Sequence, residues 1–149
     1  MAQANDIRGV TLCMTDAGLV AGTTSTITTD TAVEGSIGGK FVTSYAAQTN
    51  TAPGTTDYAG ETFETIPDDK GTVFVMSVDA AGALQIHQGA LQSLDSSGDF
   101  ITFPSFPWVD LDTYMPFGYI VIKNNSGTVF NFGATTWSTF EAMESISTL

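Results

Sequence analysis

Three four-residue stretches of this chain share one chemistry: Asp79-Ala80-Ala81-Gly82, Asp95-Ser96-Ser97-Gly98 and Asn124-Asn125-Ser126-Gly127. Each opens on a hydrogen-bonding Asp or Asn, passes two small or polar residues and ends on glycine. A side-chain acceptor suits the first position of a type I turn, and glycine takes the left-handed conformation that closes a hairpin. Strand-like runs flank all three: Thr72 to Val78 and Ala83 to Gln88, Ala90 to Leu94 and Asp99 to Phe103, Tyr119 to Lys123 and Thr128 to Phe132. The pattern predicts an antiparallel, all-β fold built from hairpins, either a β-sandwich or a jelly-roll-like barrel. Thr72 to Val78 is a continuous apolar run suited to a strand buried on both faces, whereas Leu84 and Ile86 alternate with polar neighbours.

Composition supports this class. Threonine and serine together make up 35 of the 149 residues, and β-branched side chains favour the pleated backbone. Thr23 to Thr31 is nearly all Thr and Ser around Ile27, which reads as an exposed or edge strand. After Gly38-Gly39, Phe41 to Tyr45 reads as a further strand, and Gln48 to Gly60 as a loop. Residues 1–22 form an N-terminal arm or a first strand, with Val10, Leu12 and Met14 alternating against polar neighbours. Fully extended, such an arm reaches roughly 70 Å, enough to cross onto a neighbouring subunit. Residues 23–137 are expected to form a single β domain. Residues 138–149 are a tail or short helix, since Ser138 to Glu141 has capping-box spacing and Phe140, Met143 and Ile146 recur three apart.

Charge and residue counts narrow the function. Arg8, Lys40, Lys70 and Lys123 stand against 16 acidic residues, for a net charge of −12, so no basic patch can form and nucleic acid is repelled. A single cysteine, Cys13, leaves no intrachain disulfide framework, and a single histidine, His87, leaves no multi-histidine zinc site. No run approaches the length of a membrane span, and the first residues lack the basic and apolar regions of a secretory signal. Neither membrane nor cofactor is expected. Asp95, Asp99, Asp110 and Asp112 lack the spacing of a calcium loop, and Gly38-Gly39-Lys40 has Glu34 where a phosphate loop needs glycine. His87 alternates within its strand and is expected to face solvent or a polar neighbour, with no nucleophile near it in sequence. Cys13, between Leu12 and Met14, reads as a small buried hydrophobe. No catalytic or metal-binding residue is assigned, and a non-enzymatic protein is expected.

One segment invites a contact role. Phe103, Phe106, Trp108, Tyr114, Phe117 and Tyr119 crowd a connector whose Pro104 and Pro107 forbid a central strand. Such aromatics anchor protein interfaces, stack on sugar rings or cover the open end of a β core. Val10, Leu12, Met14, Phe103, Phe106, Trp108, Tyr114 and Phe117 are therefore the candidate interface residues.

The order of these segments resembles a known family. The Thr-rich strand, Gly38-Gly39-Lys40-Phe41-Val42, Ala52 to Gly60, Val73 to Val78, the Asp79 to Gly82 turn, Gln88-Gly89 and Met115 to Lys123 together resemble small virion proteins of tailed bacteriophages. The relevant kind is the capsid cement (decoration) or head-fibre protein, and the resemblance covers roughly residues 23–133. It implies a non-enzymatic β protein on the outer capsid surface of the virion, commonly a homotrimer, bound to the major capsid protein. A tail or fibre module, or a carbohydrate-binding β module that takes a glycan on Trp108, are the alternatives.

Overall fold

The computed structural model describes residues 9–136 and the backbone of 140–145. The described residues form eleven strands and no helix. In chain order they are β1 (Leu12–Cys13), β2 (Val20–Ala21), β3 (Ile27–Thr29), β4 (Gly35–Ile37), β5 (Lys40–Phe41), β6 (Gln48–Thr51), β7 (Lys70–Asp79), β8 (Leu84–Gln88), β9 (Gln92–Ser93), β10 (Tyr114–Asn124) and β11 (Phe140–Ser145).

The continuous apolar run becomes the centre of the molecule. Every residue of β7 from Gly71 to Val78 is buried. β10 pairs antiparallel along the whole length of β7, from Tyr114 opposite Asp79 to Asn124 opposite Lys70. On the other flank, β8 pairs with Phe74 to Val78 and β9 with Lys70 and Gly71. The Gly89 amide donates to the Val73 carbonyl at 2.8 Å, so β8 and β9 are one broken strand running beside β7. β11 adds outside β10 and completes the five-stranded sheet.

Two smaller antiparallel sheets, β1-β4-β5 and β2-β3-β6, pack over one face of this sheet. Their buried Cys13, Ile27 and Ile37 join Phe74, Met76, Ile120 and Ile122 in one apolar core, together with Phe63, Ile66, Phe130 and Phe132. Inside it, the Phe74 ring lies 4.1 Å from that of Phe132 and meets Phe63 edge-on at 5.4 Å. The result is an all-β, antiparallel sandwich, with inward residues alternating along each strand.

A bulge re-aims β10. Pro116 lies opposite Ser77 and Gly118 opposite Met76, so Phe117 is the extra residue. Proline donates no ladder hydrogen bond, and a bulge is where a strand tolerates it. The shift changes which parity faces the core: Met115 and Phe117 are buried before it, Ile120 and Ile122 after it.

Several expectations change against this frame. The C-terminal segment from Phe140 to Ser145 is a strand rather than a short helix. An isolated helix this short and this rich in Ser and Thr is unstable in water, whereas the open edge of β10 offers a full set of backbone partners. Residues 138, 139 and 146–149 of the expected tail lie outside the described residues, as do residues 1–8 of the expected arm. Further along, residues 11–21 pack into the body: β1 pairs with β4, β2 with β3, and Ala17 and Leu19 are buried. The Thr-rich run contains the middle strand of its sheet, because Ile27 and Thr29 turn inward while β2 and β6 take the edges.

The three turns also diverge. Asp79 to Gly82 joins the paired strands β7 and β8, and Asp95 to Gly98 closes a bridge between Leu94 and Phe100. Asn124 to Gly127 closes no hairpin, since Phe130 bridges Ile66 instead of returning along β10. Buried Asn124 explains this: its Nδ2 donates to the carbonyls of Thr128 and Ile66 and draws the chain toward residue 66.

Candidate functional site

β8 and β10 both run antiparallel to β7 and hence parallel to each other, so the chain between them has to cross a face of the sheet. Residues 94–113 make that crossing. They cover the face opposite the main core, where Val73, Val75 and Val121 pack beneath Phe100, Val109 and Tyr119.

The crossing is fastened at both ends by aspartates. Asp95 Oδ1 accepts the amides of Ser97 and Asp99 at 2.8 and 3.0 Å, and the Gly98 amide donates to the Asp95 carbonyl at 3.0 Å. Phe100 then lies over Gly71, where a Cβ would come within 2.7 Å of its ring. At the far end Asp110 accepts the Asp112 amide and the Thr113 hydroxyl, and the Tyr114 amide donates to the Asp110 carbonyl at 2.8 Å. Thr11 donates its hydroxyl to the Leu111 carbonyl and ties the crossing to the chain just before β1. The proline spacing keeps the middle extended, with Pro104 buried while its neighbours point outward.

The outer surface of this connector is apolar. Trp108 is 80% exposed, Phe103 71% and Phe106 50%, and Ile101 and Leu111 are exposed beside them. Two hollows meet at Phe106. One, of about 540 Å³, is lined by Phe100, Phe103, Tyr119 and Val121 with Asp99 and Lys123 at its edge. The other, of about 480 Å³, lies among Val75, Trp108, Val109, Leu111 and Pro116. Phe106 meets Tyr119 edge-on at 5.0 Å, which fixes the ridge between them. Lys123 is paired with Asp99 at 2.9 Å and sits 5.8 Å from the Phe100 ring centre, so its charge is held at the rim.

The candidate residues separate into groups. Phe103, Phe106 and Trp108 share the connector face. Val10, Leu12 and Met14 lie elsewhere, at or beside β1, with Val10 exposed and the other two half-buried. Tyr114 is half-buried against Tyr58 and His87. Phe117 is fully buried and its ring lies 6.0 Å from Tyr45, so it serves the core. The aromatic count did not single out Phe100, Ile101, Val109 or Leu111; their signal was an apolar pair directly after the Asp95 turn and another around Asp110.

Of the two surroundings expected for His87, solvent or a polar neighbour, the structure shows the second. His87 is 2% exposed, with Nε2 2.8 Å from the hydroxyl of buried Ser77, while Nδ1 has no hydrogen-bond partner among the described residues. Loss of solvent lowers the affinity of the imidazole for a proton, and the carboxylate of Asp57 offsets part of that effect. Burial likewise pushes the Cys13 thiol up, with Asp16 adding to the effect, and its Sγ donates to the Thr15 carbonyl at 3.2 Å. No cluster of three or more His, Cys, Asp or Glu among the described residues is placed to hold a metal ion. The chain matches no protein-family model, no curated protein and no solved structure.

Proposed function

We propose that the protein is a non-enzymatic structural component of a virion, a cement protein on the outer face of a bacteriophage capsid. It contacts the shell through the connector face. The carrying observation is the strip of exposed Phe103, Phe106, Trp108 and Leu111 mounted on a sheet that is itself rigidly packed. Aromatics held in place by a firm scaffold lose little entropy on docking and dominate interface energies. A net charge of −12 suits the outside of a particle filled with nucleic acid rather than its inside. Assembly as a homotrimer and attachment to the major capsid protein belong to this reading through the sequence resemblance.

Mass spectrometry and reconstruction of purified particles test it. The chain is expected in stoichiometric copy number on a capsid symmetry axis, with the connector face against the shell. Trp108→Ala combined with Phe103→Ala is expected to weaken capsid binding by about tenfold or more, the loss of one to two anchoring contacts. Absence from particles, or a connector face pointing into solvent, overturns the proposal. A second reading follows from the exposed indole of Trp108: a glycan stacked on it would give array binding that Trp108→Ala abolishes.

A further inference from the structure

Ser77 and His87 form a buried polar pair that the contact surface does not use. The Ser77 hydroxyl lies 3.3 Å from the Gln85 carbonyl and 2.8 Å from His87 Nε2. Donation to the carbonyl leaves a serine lone pair for the Nε2–H of a neutral imidazole, and Nδ1 then carries a bare lone pair. What closes this pair is a turn of the loop before β7. The Tyr58 ring stacks on the imidazole at 4.4 Å, and Tyr114 meets it edge-on at 5.0 Å. The Tyr58 amide donates to the Ile86 carbonyl at 3.0 Å, while Asp57 Oδ1 accepts the amides of Ala59 and Glu61, both at 2.9 Å.

We propose that this cluster is an acid-released latch, in which protonation of His87 frees the loop carrying Tyr58 and enlarges the neighbouring contact face. A proton on Nδ1 would create a buried donor with no acceptor among the described residues and hold a charge out of water. The titratable groups facing the imidazole are Asp57 and Tyr58 from the loop and Tyr114 from β10. β7 presents the neutral Ser77, and the neighbours of His87 on β8 that could bear on it, Gln85 and Gln88, carry no charge. Asp57 is the group among them that carries a full charge; it favours the imidazolium, and desolvation outweighs it. Lifting Tyr58 admits water to Nδ1 and removes the conflict. It also opens the face next to the smaller hollow, because the floor residues Val75 and Pro116 are the registered partners of His87 and Ser77.

The direction with pH follows from linkage. The closed form holds the imidazole below the ordinary histidine range, whereas the open form restores that range, so the open form takes up the proton first as pH falls. Opening therefore levels off well above pH ~6.5 and grows as pH falls below it, by at most about tenfold per pH unit, until the closed form protonates as well.

His87 is the single histidine of the sequence, which makes its ring resonances an unambiguous probe. NMR titration and amide hydrogen exchange of the intact protein test the latch. The imidazole is expected to titrate below an ordinary histidine. Protection of the Tyr58 amide, corrected for intrinsic exchange, is expected to fall by up to about fivefold between pH ~6.5 and ~5.5 while that of Ile120 stays constant. His87→Gln retains a neutral N–H for Ser77 and is expected to remove the pH dependence. A normal or raised titration, unchanged Tyr58 protection, or a parallel loss at Ile120 overturns the latch. If the variant does not fold, the two wild-type measurements still decide. The latch is read on the isolated protein, so it stands or fails apart from capsid attachment; only its effect on docking rests on the proposed contact face.

Discussion

Asp79 holds its turn with both carboxylate oxygens. Oδ1 accepts the amides of Ala81 and Ala83 at 2.9 and 3.0 Å, and Oδ2 accepts Gln85 Nε2 at 3.1 Å. Asp95 and Asp57 repeat the two-amide arrangement, each followed three residues later by a glycine with φ near +80°. The acidic character of the chain thus has a structural use, since a charged acceptor satisfies backbone donors better than a neutral one. Asp79→Ala is expected to cost about 1–2 kcal/mol, and Asp16→Ala, whose carboxylate accepts only the Gly18 amide among the described hydrogen bonds, about half as much. Urea midpoints at unchanged slope measure both, and equal losses would sink the argument. Asp79 and Asp95 were legible because apolar runs flank them. The same device at Asp57 was not, because it sits in a Thr- and Ala-rich loop with no apolar run on either side.

Within the elements, the close fit of β7, β10 and the connector decides what each position tolerates. A Cβ at Gly71 would lie 2.5 Å from the Ile122 carbonyl oxygen and 2.7 Å from the Phe100 ring. The ring can swing away, but the ladder oxygen cannot. Gly71→Ala is therefore expected to cost at least about 1–3 kcal/mol and to loosen Phe100 from the sheet. Thermal unfolding gives the cost, and increased exposure of Phe100 to solvent NMR probes gives the loosening; a neutral substitution with Phe100 still in place would refute the account. The bulge at Phe117 acts on the same scale. Alternation read straight through Tyr114 to Asn124 cannot place both Phe117 and Ile120 inside, and only the extra residue does.

At the scale of the whole molecule, one sheet serves two apolar faces of unequal depth. The main core encloses Phe74, Phe130 and Phe132, whereas the second cluster is a thin layer of valines roofed by a connector that remains largely exposed. Stability and contact are consequently separable. Phe74→Ala is expected to cost about 3–5 kcal/mol, the usual range for a buried phenylalanine. Phe103→Ser with Trp108→Ser is expected to change stability by no more than about 0.5 kcal/mol per site. Chemical denaturation of the two variants side by side checks the contrast, and a large loss in the surface variant would mean that the connector is a structural roof.

Local sequence was enough for the all-β class, the buried strand over Thr72 to Val78, its hairpin to residues 83–88 and the turns at Asp79 and Asp95. These follow from interactions among residues a few positions apart, where turn chemistry and alternation act directly. Tertiary structure alone decided that β10 lies beside β7, that β11 closes the edge as a strand, and that residues 94–113 cross the second face. It also decided that His87 is buried and that Phe117 belongs to the core. The reason is distance along the chain: Asn124 finds its carbonyl partner at Ile66, 58 positions away, and no local pattern encodes such a contact.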